Sequence, residues 1–136
     1  MSGTNSYLSL ISFSINGLNS PIKRYKLTDG ICKQDPAFCC IQKTHLNNKY
    51  RYYLRVKGWK KVFQANGPRK QARVTILISN KIDFQPKFIK CDEKGHFILI
   101  KGKIHQDKVS ILNIYAPNAM GTHVHNRNFT KTQNTY

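Results

Sequence analysis

Acidic residues are scarce in this sequence. Only 6 of the 136 residues are Asp or Glu, against 23 Lys and Arg, so the formal net charge at pH 7 is +17. Such a charge attracts phosphate polymers and repels other cations. It also exceeds the roughly 2–8 net charges that ordinary solubility requires. The composition therefore favours DNA or RNA as the partner, bound through the backbone without sequence preference, over a merely soluble basic domain.

Long apolar runs and targeting signals are also missing. No run approaches the ~18 apolar residues of a transmembrane helix, and residues 1–16 lack the basic start and cleavage site of a secretory signal. No cysteine and histidine set has zinc spacing. Adjacent Cys39 and Cys40 lie in an apolar run and suggest buried thiols, not a disulfide framework. We expect an intracellular protein, cytoplasmic or nuclear, that uses neither a membrane nor a small-molecule substrate.

The hydrophobic pattern predicts a sandwich of strands with one early helix. Residues 8–15 carry apolar side chains on both parities, which is typical of a strand covered on both faces. Ser20-Pro21 predicts the start of a helix, and Ile22, Tyr25, Leu27 and Ile31 would form its apolar face. Further strands are predicted at 37–42, 58–64, 73–79, 96–100 and 109–115, with an irregular edge strand within 80–90. This order indicates an α/β or α+β sandwich weighted towards β.

The end of the chain has a different composition. From Ala116 onward Asn, Thr and His dominate and apolar residues are few, which predicts a disordered tail. We accordingly divide the chain into a domain over 1–118 and an unrelated polar tail over 119–136.

Four short stretches, taken together, resemble one family. They are Ser14-Ile15-Asn16-Gly17-Leu18-Asn19, Cys40-Ile41-Gln42-Lys43-Thr44-His45, Arg73-Val74-Thr75-Ile76-Leu77-Ile78-Ser79 and Leu112-Asn113-Ile114-Tyr115-Ala116-Pro117-Asn118. This set resembles the N-terminal endonuclease domain of the second open reading frame protein of long interspersed element retrotransposons. That domain is similar to apurinic/apyrimidinic endonucleases and DNase I. The resemblance covers residues 1 to 118, in order.

The resemblance implies a partial two-sheet α/β sandwich of the endonuclease/exonuclease/phosphatase type. Family members nick DNA with Mg²⁺, and the nick primes reverse transcription. An Asn in the first strand and a Glu in the Ile-Gln-Glu-Thr-His stretch serve the metal there, whereas this sequence has Ser14 and Lys43 at those positions. Tyr115 and Asn118 retain the family's residue types. The family's later motifs, Gly-Asp-Phe-Asn and Ser-Asp-His, do not occur in the sequence.

These departures predict an inactive enzyme. Lys43 places an ammonium where a carboxylate would receive a dication, which reverses the sign of that contact. We expect no bound Mg²⁺ and no nicking. The absence of the later motifs suggests a truncated domain, whose strands at 8–15 and 109–115 would keep unpaired edges.

Three interpretations of function remain open at this point. The chain is a degenerate endonuclease-like relic, a folded non-enzymatic binder of nucleic acid, or a nuclease that recruits other ligands. For the second, Lys43 would act as a fixed cation facing a phosphate, and the pairs Lys60-Lys61 and Arg69-Lys70 would touch the backbone. Tyr115 either faces a phosphate or simply ends a strand.

Three other conspicuous side chains are given structural roles. Trp59 is expected in the core and not as a platform for base stacking, because tryptophan is on average highly buried. His45 and His96 lie beside or within predicted strands, where ordinary packing or surface exposure is expected.

Overall fold

The computed structural model describes residues 8–15, 17–18, 20–47, 55–66, 71–116, 119–125 and 129–135, with the backbone alone at 45–47, 66, 71–72, 116, 119–125 and 129–135. In chain order the elements are β1 (Leu8–Ser14), α1 (Pro21–Gln34), β2 (Phe38–Asn47), β3 (Lys61–Asn66), β4 (Gln71–Ile78), β5 (Phe84–Cys91), β6 (Phe97–Ile104), β7 (Asp107–Ala116), β8 (Ala119–His125) and β9 (Phe129–Thr135).

The strands form two sheets. The first has the order β3-β4-β2-β1-β9, and the second has the order β5-β6-β7-β8. In the first sheet β1 runs parallel to both β2 and β9, whereas β4 is antiparallel to β2 and β3. The second sheet is an antiparallel meander. The predicted strands and the sandwich are confirmed, and β5 is the edge strand expected within 80–90.

The helix begins where the sequence predicts but buries a narrower face. Ser20 has an extended backbone, Pro21 occupies the first turn, and Asp35 ends the helix with a left-handed φ of 50°. Leu27 and Ile31 are buried as predicted.

The expectation that Ile22 and Tyr25 share that buried face is wrong. Their side chains are 67% and 74% exposed. At 3.6 residues per turn Ile22 lies about 140° and Tyr25 about 160° around the axis from Leu27. Both side chains are therefore turned away from the sheet that Leu27 contacts.

Two layers of core explain why both faces of β1 are apolar. One cluster lies between the sheets and includes Leu10, Phe38 and Ile76 of the first sheet with Ile100 and Ile111 of the second. The other lies between the first sheet and α1, and it includes Ile11, Phe13, Leu27, Ile31 and Trp59. Every second residue of β1 thus enters the inter-sheet core, and the residues between them pack under the helix.

The structure corrects the predictions of a disordered tail and of unpaired strand edges. Residues 119–125 pair antiparallel to β7, and residues 129–135 pair parallel to β1. Strand pairing is made by backbone groups, so a polar segment can join a sheet whose apolar strands already supply the core. The division of the chain at residue 118 stays a prediction.

A buried hydrogen-bond network joins the two sheets at one end of the inter-sheet core. The Gln42 amide nitrogen donates to the Ser12 hydroxyl at 3.0 Å and to the Asn113 side-chain oxygen at 2.7 Å. The Asn113 amide donates in turn to the carbonyls of Thr75, at 2.9 Å, and Ile41, at 3.2 Å. Ser12, Gln42 and Asn113 are fully buried. Strands β1, β2 and β4 are thereby connected to β7 through side chains that water does not reach.

Asn113→Ala is expected to lower the free energy of unfolding by about 3 kcal/mol. The substitution removes one of the two acceptors of the Gln42 amide and the side-chain donor to two buried carbonyls, and each buried group left unsatisfied costs about 1–3 kcal/mol. Urea titration followed by circular dichroism measures the change. Ser110→Ala on the outer face of the same strand is the control, with an expected loss below about 0.5 kcal/mol. Equal losses for the two variants would contradict the role given to the network.

The cysteines offer a second test of the core. Cys39 and Cys40 are buried, whereas Cys32 and Cys91 are exposed. Burial, with a smaller contribution from Cys40, raises the pKa of the Cys39 thiol well above its ordinary value of 9.0. We expect Cys32 and Cys91 to react at once with a thiol reagent, and Cys39 and Cys40 only as fast as the protein unfolds.

The raised pKa of Cys39 also determines the direction in which the stability of the protein changes with pH. Above pH 9 the unfolded chain loses the Cys39 proton while the folded chain keeps it, so stability falls as the pH rises. Rapid labelling of all the thiols in the native protein would overturn this assignment.

Candidate functional site

The carboxyl ends of β1 and β7 lie beside the middle of β2, which continues to Asn47. Ser14 ends β1 and pairs with Gln42 of β2, so the next residue, Lys43, lies beside it. Strand β7 is joined to β2 at the same level through the Asn113–Gln42 hydrogen bond, and Tyr115 follows two residues later. The network therefore brings Ser14, Lys43 and Tyr115 to one place. We call this place the cleft.

Lys43 interrupts the regular pairing of its strand. It has a left-handed φ of 60°, and the register between β2 and β4 shifts after Gln42. This conformation costs a residue with a side chain about 1–2 kcal/mol. The loop after β1 holds it in place, because the Gly17 amide donates to the Lys43 carbonyl at 2.9 Å and the Leu18 amide donates to the Thr44 carbonyl at 2.8 Å.

The Lys43 ammonium is held against an aromatic ring. Its Nζ lies 5.7 Å from the centre of the Tyr115 ring, within the range of a cation–π interaction. The side chain of Lys43 is half-buried. The backbone of Tyr115 is fixed as well, since its amide donates to the His96 carbonyl at 2.6 Å. The cleft thus presents a positioned cation beside a phenol ring.

The residues of the cleft do not fit Mg²⁺. This ion takes oxygen ligands, usually including a carboxylate, whereas the side chain at the expected carboxylate position is an ammonium with no lone pair to give. Among the residues that the structure describes, no group of three His, Cys, Asp or Glu side chains could hold a metal. Asp29 and Asp35 form salt bridges with Lys33 and Lys81, and an Asp92 carboxylate oxygen lies 3.1 Å from the His96 imidazole. No step through a metal is derived for this chain.

The predicted basic contacts do not all lie at the cleft. Lys61 begins β3 and pairs with Ile78, which in turn pairs with Phe38 at the start of β2. Lys60 and Lys61 are therefore about five residues, roughly 17 Å, from the level of Lys43 along the sheet. The Lys61 Nζ donates to the Phe84 carbonyl at 2.9 Å and so connects the two sheets.

Some predicted residues fall outside the described part. Arg69, Lys70, Asn118 and the side chain of His45 lie outside the described part of the chain, so their predicted roles stay predictions. Trp59 is in the core as expected, and its indole nitrogen donates to the Pro36 carbonyl at 2.9 Å. His96 faces Asp92, with 3.1 Å between the imidazole Nδ1 and a carboxylate oxygen.

Sequence reasoning missed the supports of the cleft. Gln42 and Asn113 bond to each other 71 residues apart, so neither partner is evident from local pattern. One signal was available, because both are polar residues at positions of strong strands whose neighbours of the same parity are apolar. A polar side chain at such a position requires a buried partner.

Comparison with solved structures identifies the fold. The chain superposes on TDP2 from D. rerio, solved with a single-strand DNA product, with a TM-score of 0.63 and 19% identity over 83% of this chain and 48% of that one. The AP endonuclease LMAP from Leishmania major superposes with a TM-score of 0.64 and 15% identity, over 88% of this chain and 44% of that one. An AP endonuclease from Archaeoglobus fulgidus superposes with a TM-score of 0.55 and 20% identity, over 79% of this chain and 40% of that one. The fold is that of part of a DNase I-like endonuclease sandwich.

The extent of the match is limited on both sides. The chain spans less than half the length of these three structures. No protein-family model matches it. In the described residues no helix has the length and hydrophobicity of a membrane span.

Proposed function

We propose that this chain is an endonuclease-like domain, derived from a retrotransposon endonuclease, that binds the phosphate backbone of DNA or RNA without cleaving it. The observation that carries the proposal is the Lys43 ammonium, fixed at the cleft where the family resemblance requires a metal-binding carboxylate. A tethered ammonium attracts a phosphate directly, and it repels the dication that hydrolysis would need.

The geometry of the cleft supports phosphate binding. Lys43 is only half-buried, and the half-buried Tyr115 beside it carries a hydroxyl group that can hydrogen-bond a phosphate oxygen. The net charge of +17 adds a long-range attraction that steers a polyanion to the protein. Both contributions are independent of base sequence.

The retrotransposon origin rests on the sequence stretches that surround the cleft. Three of the four stretches that carry the resemblance, those that contain Ser14, Lys43 and Tyr115, come together in the fold. Similarity to AP endonucleases at 15–20% identity supports the fold that this origin requires.

The first test is a nicking assay. Supercoiled plasmid incubated with the protein in Mg²⁺ is expected to stay supercoiled, because the cleft offers the ion an ammonium in place of a carboxylate. An active AP endonuclease under the same conditions is the positive control. Nicking that scales with protein and disappears on addition of a chelator would show that the chain recruits other ligands, and it would refute the inactive assignment.

The second test measures binding to a labelled duplex by fluorescence anisotropy. We expect the logarithm of the association constant to fall linearly with the logarithm of the salt concentration, with a slope that counts the phosphates contacted. Lys43→Glu is expected to weaken binding about tenfold, since it places a carboxylate against a phosphate.

The control for that variant changes the same charge elsewhere. Lys26→Glu lies on the exposed side of α1 and is expected to weaken binding about twofold through net charge alone. Lys43→Asn removes the charge while keeping a residue that tolerates the left-handed backbone, so it separates charge from conformation. If Lys43→Glu and Lys26→Glu act equally, the cleft is not the binding site.

A further inference from the structure

The outer face of the second sheet carries a cluster of lysines away from the cleft. Lys101 and Lys103 alternate with the buried Ile100, Gly102 and Ile104 on β6, so their side chains point outward. Lys103 pairs directly with Lys108 of β7 across the sheet. Lys87 of the edge strand completes the set. We call Lys87, Lys101, Lys103 and Lys108 the lysine face.

The lysines surround a depression. Its volume is about 220 Å³, and besides the four lysines it is lined by Gly102, Val109 and Ser110. No carboxylate is among these lining residues. A depression with a largely apolar floor and a rim of ammonium groups suits a phosphate with an uncharged group attached.

Like charges that face one another across a sheet are unfavourable. Lys103 and Lys108 are directly opposed on β6 and β7, so their positive charges repel one another. A phosphate bound beside cations of one sign lowers such repulsion.

An exposed aromatic ring adjoins the lysine face. Phe88 of the edge strand pairs with Lys101, whose Nζ lies 5.7 Å from the centre of the ring. The Phe88 side chain is 48% exposed. Aromatic side chains beside a basic groove are the elements that bind single strands, because unpaired bases stack on the ring while the phosphates meet the cations.

We infer that the lysine face is a second binding surface, for single-stranded nucleic acid, with phosphates on the four lysines and a base stacked on Phe88. This inference and the proposed function have only the class of ligand, a nucleic acid, in common. Lys108 and Tyr115 are seven residues apart on β7, about 24 Å at the rise of a strand, so the cleft and the lysine face can be tested separately.

An acidic peptide is the alternative occupant of a basic, partly apolar surface. It would use the charge of the lysine face but would gain nothing specific from a planar ring. The exposed ring beside the cations therefore favours a nucleic acid, and a nucleic acid whose bases are unpaired.

The experiment compares a labelled oligothymidine with a duplex of equal charge, by anisotropy at physiological salt. Phe88→Leu keeps the apolar character and removes the ring. It is expected to weaken oligothymidine binding about tenfold, within the range for one stacked base, and to leave duplex binding within about twofold. Phe88→Tyr keeps a ring and is expected to retain the wild-type affinity for the oligothymidine.

The charge is tested with a matched pair of variants. Lys101→Gln with Lys103→Gln is expected to weaken oligothymidine binding at least about tenfold and to reduce the salt slope by about two contacts. Lys23→Gln with Lys26→Gln removes the same charge from α1 and is expected to weaken binding about threefold at most. Unchanged thermal unfolding confirms that each variant is folded.

Photocrosslinking keeps the test decisive if a variant unfolds. A bromouracil oligonucleotide bound to the unmodified protein is expected to crosslink within β5, at or next to Phe88, as located by mass spectrometry. Crosslinks confined to other segments would overturn the inference. So would equal losses for Phe88→Leu on the oligothymidine and the duplex, or displacement of the oligothymidine by polyglutamate at equal charge concentration. Lys43→Glu is expected to leave the Phe88 crosslink in place, so the proposals for the cleft and for the lysine face can be refuted independently of each other.

Discussion

The Ser12–Gln42–Asn113 network is the constraint on which the rest of this structure depends. Apolar side chains can pack in several strand registers, but buried amides can make all their hydrogen bonds in only one register. Because a shift of one residue turns every side chain to the opposite face, this network fixes β1, β2 and β4 against β7. Lys43 and Tyr115 lie one and two residues beyond it. The positions of the functional groups thus follow from polar satisfaction inside the sandwich.

The identity of one side chain then decides what that geometry can do. A carboxylate at the position of Lys43 would attract a dication, and an ammonium repels it while attracting the phosphate itself. The strained backbone at Lys43 is held by bonds from Gly17 and Leu18 that involve main-chain atoms alone. The same backbone therefore supports either side chain, because the bonds that hold it do not depend on the residue type.

The sequence was informative where structure is determined locally. Strands with apolar residues on both parities and a helix starting at Ser20-Pro21 were predictable from patterns within a few residues. The strands at 119–125 and 129–135 were not, because their stability comes from partner strands, and for Phe129–Thr135 that partner is more than a hundred residues away. The exposure of Ile22 and Tyr25, the Lys61 bond to Phe84 and the Gln42–Asn113 pair depend likewise on neighbours that a local pattern does not contain.

The surplus of positive charge is compatible with the way in which the described residues hold this fold together. Its two cores are apolar, and its sheets are joined by neutral amides and a lysine bonded to a carbonyl. The Lys33–Asp29 and Lys81–Asp35 salt bridges are largely exposed, and such pairs contribute about 0–1 kcal/mol each. Surface lysines can therefore accumulate at little cost beyond mutual repulsion, which an added polyanion reverses. The protein and its proposed ligand would thus stabilise each other through the same charges, most strongly at low salt.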